Sequence, residues 1–219
     1  MTRIGRRISR FTREIDRDYL ESKYETLLFL GEPGLDFFVL MSASAAIAAA
    51  GFVMDSPSVI IGAMVISPLL HPVVLLGSAL ARGDLRHGLS LLGIAAIGIA
   101  VAMVVAIGLG FVWPSFDYGS EITTRLAEAP ALYALVAFAS GVAGAFAFYW
   151  PDIAESIPGV SISVALLPPV VMVGLAISRL DTDLLTKSTV ILVVNLVGLT
   201  LSAALVTRFL WWYGARGWS

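Results

Sequence analysis

Six long apolar runs constrain this chain more than any other feature of its sequence. They cover approximately residues 35–54, 58–81, 88–112, 131–149, 159–178 and 187–212. Each run is close to the roughly 20 residues that a helix needs to cross about 30 Å of hydrocarbon. Backbone groups in lipid have to be hydrogen-bonded internally, and continuous apolar runs lack the alternation of barrel strands. The sequence therefore predicts an all-α integral membrane protein with six transmembrane helices.

The composition agrees with this fold class and excludes several kinds of site. Hydrophobic residues make up 58% of the 219 residues and charged residues only 14%, against about 25% charged residues in ordinary globular proteins. The sequence has no cysteine, which removes disulfides, thiolate metal ligands and cysteine nucleophiles. It also lacks a zinc-protease histidine pair, a phosphate-cradling loop and an intramembrane carboxylate pair. We therefore predict no enzymatic activity, no catalytic residue, no cofactor, no metal and no nucleic-acid partner.

The ends of the chain are polar and rich in arginine. In residues 1–34, arginines surround apolar residues that recur at helical spacing, which predicts a cytoplasmic amphipathic helix on an anionic membrane surface. Docking of this helix on the membrane domain, or on a neighbouring subunit, fits the pattern equally well. Residues 113–130 are predicted to form an outer loop and residues 213–219 a C-terminal tail.

The distribution of basic residues predicts the orientation. With the N-terminus in the cytoplasm, eleven of the 14 Lys and Arg residues lie inside, and only Arg125, Arg179 and Lys187 lie outside. Short loops on the cytoplasmic side of membrane proteins carry such an excess of positive charge. Both termini are therefore predicted to be cytoplasmic.

A repeat links the two halves of the chain. LLHPVVLLGSALARGD (69–84) aligns without a gap with LLPPVVMVGLAISRLD (166–181), 97 residues further on. Nine of the sixteen positions are identical, namely 69, 70, 72, 73, 74, 77, 79, 82 and 84 with their partners. The same offset superposes the first three predicted spans on the last three, so each half holds three predicted spans. Because three is odd, the second half begins on the opposite side of the membrane, and the sequence predicts two inverted three-helix repeats.

Prolines interrupt the second and fifth predicted spans at matching depths, close to mid-membrane. Proline inside a helix removes a backbone hydrogen bond, and interrupted helices at corresponding positions of inverted repeats indicate a transport site. The alternative is that neighbouring helices satisfy the freed carbonyls and the prolines serve packing alone. We predict a central substrate-binding site formed by Ser67, Pro68, His71, Pro72, Ser161, Ser163, Pro168, Pro169 and Asn195.

Several of these residues have a structural interpretation as well. His71 is the only ionisable side chain deep within a span, which suits a proton relay, but a neutral histidine bonded to a freed carbonyl is favoured. Asn195 fits interhelical packing and substrate binding about equally. Asp55 and Asp152 precede the interrupted spans at corresponding positions, and Asp55 is predicted to cap the N-terminus of its own helix.

Charged residues at the membrane edges form a second predicted group, with a gating or interface role. RGD (82–84) and RLD (179–181) close the interrupted spans. Their charged residues are expected to form an ion pair within the loop, a contact between the halves, or a gate, and the sequence does not decide among these three roles. Glu121 and Arg125 share a face if the outer loop is helical, either as a surface pair or as a gate. The group comprises Asp55, Arg82, Asp84, Glu121, Arg125, Asp152, Arg179 and Asp181.

Three segments carry a resemblance to a known family. DSPSVIIGAMVISPLLHPVVLLGSALARGDL (55–85), EITTRLAEAPALYALVAFASGVAGAFA (121–147) and IPGVSISVALLPPVVMVGLAI (157–177) resemble the domain of unknown function 389 family, uncharacterised hydrophobic membrane proteins of bacteria and archaea. The resemblance covers roughly residues 35–207. It implies the plasma membrane of a prokaryote and suggests transport without naming a reaction. His71 stands where the family pattern has glycine, which argues against a family-wide role for the imidazole.

Transport is the predicted function. We expect a transporter or facilitator of a small polar or ionic solute, because half-helix ends offer partial charges of both signs. At 23.2 kDa the chain is small for a complete pathway, so a homo-oligomer in the lipid bilayer is predicted. The competing hypothesis is a non-transporting membrane scaffold or sensor that recruits a partner through its basic N-terminal helix.

Overall fold

Every regular element is a helix in residues 17–113, 119–149 and 166–214, which are the residues that the computed structural model describes. In chain order the nine helices of these ranges are α1 (Arg17–Leu30), α2 (Leu35–Val53), α3 (Pro57–Ile66), α4 (Leu70–Arg82), α5 (Leu85–Val112), α6 (Ser120–Ala127), α7 (Pro130–Tyr149), α8 (Leu167–Arg179) and α9 (Thr182–Gly214). The predicted all-α fold is confirmed for this part of the chain.

Four of these helices are long and apolar enough to cross a membrane. They are α2, α5, α7 and α9, with 19, 28, 20 and 33 residues. The shorter helices α3 and α4 pass the same test as a pair, although a bend of 57° separates them, so they form a broken span or a re-entrant loop. The fifth predicted span, 159–178, is described only from residue 166 onward. Six spans and the inverted repeat therefore stay predictions.

Three of the four prolines at the interruptions lie in the first turns of helices, and Pro68 lies in the turn just before α4. The chain leaves α3 at Ser67, which is extended with φ −65° and ψ 125°, and α4 begins at Leu70, so that Pro72 is its third residue. Pro168 and Pro169 are the second and third residues of α8. The first N–H groups of a helix have no acceptor within it, so proline costs no helical hydrogen bond there. Both pairs of prolines thus help to start a helix at the interruption.

Helices α4 and α8 form the centre of the fold. Residues 72–79 of α4 and residues 167–176 of α8 are buried without a break, as expected of a helix that is apolar all round. The main neighbours of α4 are α5 and α9, and α8 packs chiefly on the same two helices. The longer helices keep exposed apolar side chains such as Leu89 of α5 and Leu205 of α9, a surface that suits contact with lipid.

Two glycines bring α4 and α8 close to their neighbours. A Cβ atom on Gly77 would collide with the carbonyl oxygen of Thr200 on α9. A Cβ atom on Gly174 would lie 2.9 Å from the carbonyl oxygen of Met103 on α5. Positions 77 and 174 differ by 97, and so do positions 103 and 200. Each glycine therefore packs on the other half of the chain, at equivalent positions.

The half-length helices α4 and α8 end at opposite faces of the bundle. The guanidinium carbon of Arg82 lies 4.1 Å from a ring centre of Trp211, near the end of α9. Arg179 Nη2 donates to the carbonyl oxygen of Trp113, at the end of α5, over 3.4 Å. Since α5 starts beside Arg82 and α9 beside Arg179, these two helices run in opposite directions. A 13-residue helix measures about 20 Å against about 42 Å for α5, so α4 and α8 both begin between the faces.

The N-terminal helix α1 is docked on the membrane domain. Leu20 and Tyr24 are buried, and the Tyr24 hydroxyl donates to Asp84 Oδ2 over 3.3 Å. Burial, and then the charge of Asp84, raise the pKa of Tyr24. The sequence left three placements open for this helix: the membrane surface, the membrane domain of the same chain, or a neighbouring subunit. Residues 17–30 pack on the membrane domain of the same chain, and residues 1–16 lie outside the described residues.

Candidate functional site

A small cavity brings together three of the predicted site residues. Its volume is about 190 Å³, and its lining is Arg125, Glu128, Leu132, Tyr133, Val136, Pro169 and Asn195. Asn195 lies 13 residues beyond the start of α9, a rise of about 20 Å, and Pro169 belongs to the first turn of α8. The cavity therefore extends from α6 to the middle of the bundle and to the start of α8.

Polar contacts organise the outer end of this cavity. Arg125 Nη2 donates to Glu121 Oε2 over 3.3 Å within α6, so the predicted pair is present, with about a fifth of each side chain exposed. The Tyr133 hydroxyl donates to the carbonyl oxygen of Arg125 over 2.9 Å and joins α7 to α6. Arg125 Nε is buried and has no acceptor among the described residues. The cavity thus carries the guanidinium of Arg125 and the carboxylate of Glu128 at its α6 end, and the amide of Asn195 deeper inside.

Asp55 caps a different helix from the one predicted. The N-cap of α3 is Ser56, which makes no side-chain capping bond, so the predicted cap on its own helix is wrong. The Asp55 carboxylate instead accepts from the Glu121 N–H and from the Ser120 hydroxyl, each over 2.8 Å, at the start of α6. These bonds, with that from Glu121 first, lower the pKa of Asp55. Asp55 thereby ties the turn between α2 and α3 to the helix that covers the cavity.

The aspartates that close the interrupted spans begin the next helices. Asp84 Oδ1 accepts from the His87 N–H of α5 over 3.2 Å, and Asp181 Oδ1 accepts from the Leu184 N–H of α9 over 3.0 Å. A carboxylate at this position satisfies N–H groups that have no helical acceptor.

The arginines of the same two turns make contacts elsewhere. Arg82 pairs with Glu21 of α1 over 2.9 Å, and the ring contact with Trp211 joins it to the second half. Arg179 reaches Trp113 of the first half. Of the three interpretations left open for these arginines, the structure contains the contact between the two halves. The ion partner of Arg82 lies in α1 and not in its own loop.

His71 contacts α1 and is not part of the cavity lining. Its Nε2 lies 3.2 Å from the carbonyl oxygen of Leu27, and its ring centre lies 4.8 Å from that of Phe148. Leu27 belongs to the last turn of α1, and its carbonyl oxygen also accepts from the Gly31 N–H over 2.9 Å, so His71 adds a second contact to it. The favoured interpretation, a histidine bonded to a carbonyl, therefore agrees with the geometry, but the carbonyl was not freed by a proline.

The remaining predicted residues do not share one site. Ser67 and Pro72 are buried at the break between α3 and α4, where Pro68 also lies. The residues that lie outside the described ranges are Asp152, Ser161 and Ser163. Of the binding residues predicted, the cavity unites Pro169 and Asn195.

Sequence reasoning missed Glu128 and Tyr133. Positions 125, 128, 132 and 136 are three to four residues apart, but α6 ends at Ala127 and α7 begins at Pro130, so their common lining of the cavity is not one helical face that periodicity could indicate. The stretch also crosses from the predicted outer loop, 113–130, into the fourth predicted span.

The fold and the cavity define a class: a hydrophobic, all-helical protein whose apolar helices are compatible with a multi-pass membrane protein. A small cavity with polar and apolar lining residues lies beside a buried half-length helix. Within this class, the chain belongs to the family described as Domain of unknown function (DUF389), which matches residues 64–201. The predicted family membership is thus confirmed, and the matched region contains both α4 and α8.

One relative is described only as "Uncharacterized protein MJ0678", from Methanocaldococcus jannaschii. It is 22% identical to this chain over 205 residues, which cover 91% of the chain and 63% of the relative. The chain therefore spans less than two thirds of the length of this relative. No solved structure matches the chain.

Proposed function

We propose that this protein is a transporter or facilitator of a small polar or ionic solute, built as two inverted repeats around α4 and α8. One observation carries the proposal: two half-length helices, 97 residues apart and buried on all sides, begin inside the fold. The N-terminus of such a helix presents N–H groups without helical acceptors and a partial positive charge. Transporters bind their substrates at discontinuous helices of this kind.

The contacts between the halves support the inverted arrangement. Gly77 meets Thr200, and the equivalent Gly174 meets Met103, so the contacts are exchanged as they are across a two-fold axis. Helices α5 and α9, which the repeat makes equivalent, run in opposite directions between the two faces. A two-fold axis that reverses the direction of membrane-spanning helices has to lie in the membrane plane, which is the geometry of an inverted repeat.

The cavity supports a route from α6 to the start of α8. Its volume of about 190 Å³ equals that of roughly six water molecules, which is enough for a small solute. Arg125 and the N-terminal end of α8 contribute positive charge, whereas Glu128 in the lining and Glu121, the partner of Arg125, contribute negative charge. The cavity therefore suits a polar solute without selecting the sign of its charge.

The proposal includes the orientation and assembly that the sequence predicts. Arg17, Arg82, Arg86 and Arg208 lie toward the face at which α4 ends, and we assign that face to the cytoplasm of a prokaryote, together with both termini. The protein would act in the plasma membrane as a homo-oligomer, without enzymatic activity or a cofactor.

Flux into proteoliposomes tests the function. The full-length protein is reconstituted and supplied with a panel of small anions, cations and neutral polar solutes. For a solute that the wild type admits, Asn195→Leu should lower the flux at least tenfold, because leucine keeps the branching and the number of heavy atoms of the side chain but removes the amide from the cavity. Val193→Leu on the exposed side of the same helix should leave it unchanged. Absence of flux above protein-free vesicles for the whole panel would refute the proposal.

The scaffold hypothesis requires α1 to be available for binding to a partner protein. In the structure, the apolar side of α1 is occupied by its own membrane domain through Leu20 and Tyr24, which favours transport over recruitment. A pull-down with residues 1–34 that captures one specific protein, combined with the absence of flux, would favour the scaffold.

A further inference from the structure

A basic pocket lies at the end of α4, on the face opposite to α6. Its volume is about 370 Å³, and its lining is Arg17, Ala81, Arg82, Arg208, Trp211 and Trp212. Three guanidinium groups, from α1, α4 and α9, converge on this space, and the residues described as lining it include no carboxylate. Arginine presents a fork of donors that matches the oxygens of a phosphate group.

Arg82 is held in place within this pocket. Its guanidinium carbon lies 4.1 Å from ring centres of both Tyr24 and Trp211, and its Nη2 is bonded to Glu21. Its Nη1 and the indole Nε1 of Trp211 are shielded from bulk water and have no acceptor in the part of the chain that the structure describes. Arg82 is therefore fixed at the edge of the pocket and keeps a donor that no described residue uses.

An apolar groove continues from the basic pocket along the outside of α9. It is also about 370 Å³ in volume and is lined by Leu80, Ala81, Thr200, Leu201, Ala204, Leu205 and Arg208. Ala81 and Arg208 line both spaces. From Thr200 to Arg208 the helix rises about 12 Å, and Leu80, Leu201 and Leu205 are 48%, 56% and 59% exposed. The groove therefore offers an open apolar surface that begins beside the arginines.

The aromatic residues place the basic pocket at the level of lipid headgroups. Trp212 is 50% exposed and Phe209 55% exposed at the end of α9, and tryptophan is enriched where the hydrocarbon meets water. Basic pockets between helices on the cytoplasmic side of a membrane are suited to anionic headgroups. We propose that the pocket and the groove together bind one anionic phospholipid, with its phosphate between Arg17, Arg82 and Arg208 and an acyl chain along Leu201 and Leu205.

Lipid binding to the full-length protein in a non-ionic detergent tests this site. Native mass spectrometry and thermal unfolding are compared for phosphatidylglycerol, for phosphatidylcholine with the same acyl chains, and for inorganic phosphate. We expect phosphatidylglycerol to bind at least tenfold more tightly than phosphatidylcholine and to raise the unfolding temperature, with no effect of phosphate at the same concentration. Equal binding of the two lipids would overturn the proposal, and phosphate binding as tight as that of the lipid would show a site for a soluble anion instead.

Variants in each part of the site complete the test. Arg208→Gln should weaken the binding of phosphatidylglycerol at least fivefold, whereas Arg86→Gln, an exposed arginine outside the pocket, should not. Leu205→Ser should weaken binding through the groove. Val197→Ser serves as its control, because Val197 is 49% exposed on α9, against 59% for Leu205, and lies outside the groove. Arg208 and Leu205 are exposed, so these variants should fold. Loss of binding in both members of either pair would contradict the site.

Discussion

Leu180 adopts a backbone conformation that glycine adopts at the equivalent position of the first half. Gly83, at the end of α4, has φ 73°, and Leu180, at the end of α8, has φ 55°. Left-handed backbone costs a residue with a Cβ atom about 1–2 kcal/mol. Leu180→Gly should therefore stabilise the protein by up to about 1 kcal/mol, after the greater entropy of an unfolded glycine is subtracted. Thermal unfolding in detergent measures this change, and Gly83→Leu should shift the midpoint the opposite way.

Asp55 makes the start of α6 sensitive to acid. Because its carboxylate accepts two hydrogen bonds, its pKa is lowered in the folded protein from the ordinary 3.8. A lowered pKa contributes stability above the ordinary value, and this stability is lost as the pH falls through the folded one. Asp55→Ala should lower the hydrogen-exchange protection factors of the α6 amides at neutral pH, and a fall of the pH through the folded pKa should lower these protection factors in the wild type. Unchanged exchange in the variant would show that the cap does not hold α6.

Substitutions of His71 distinguish a structural role of the imidazole from a role in proton coupling. Glutamine can also donate to the carbonyl oxygen of Leu27, but it does not titrate near neutral pH. For any solute that the protein transports, His71→Gln should keep the pH dependence of flux, and His71→Leu should increase proteolysis around residues 30–35 by releasing the end of α1. A pH dependence that disappears in His71→Gln would instead support the proton relay.

At the scale of the helices, close packing of α4 and α8 depends on their glycines. Gly77→Ala and Gly174→Ala each place a methyl group against backbone atoms of a neighbouring helix, and such overpacking costs about 1–3 kcal/mol. Gly93 and Gly108 on α5 have no heavy atom within 4 Å of an added Cβ, so alanine there should stabilise by about 1 kcal/mol through helix propensity. Unfolding midpoints of the four variants check the difference, and similar shifts in all four would contradict the packing.

The helices themselves could largely be predicted from sequence, because lipid-length apolar runs allow few other structures. Their ends could not be placed as well: α5 begins at Leu85 and α9 at Thr182, both ahead of the apolar runs, since Asp84 and Asp181 cap polar first turns. The prolines indicated an interruption, but local sequence does not say whether proline bends one helix or starts another. That distinction depends on the tertiary packing of α4 and α8.

The candidate site was only partly predictable for a similar reason. Asn195 and Pro169 were identified as a mid-span amide and a mid-span proline, which are properties of the sequence alone. The bond from Glu121 to Asp55 joins residues 66 positions apart, and the contact of His71 with Leu27 joins residues 44 apart. Periodicity within one helix carries no information about such distant partners.

At the scale of the whole molecule, the absence of cysteine makes the proposed topology directly testable. Arg86 and Asp183 occupy positions 97 residues apart, near the starts of α5 and α9, and both are exposed. In intact cells, an impermeant maleimide should label Asp183→Cys but not Arg86→Cys, because the inverted arrangement puts them on opposite sides. Labelling of both variants from one side would contradict inversion, and labelling of Arg86→Cys alone would reverse the orientation.

The packing of α4 on α9 also bears on how the protein is made. Gly77 needs the backbone of Thr200 as its neighbour, yet well over a hundred residues are synthesised between them. The ribosome therefore delivers α4 to the membrane long before its partner exists, and the interior surface of α4 has to wait, covered by lipid or by insertion factors. The centre of the fold can close only after α9 has entered the bilayer.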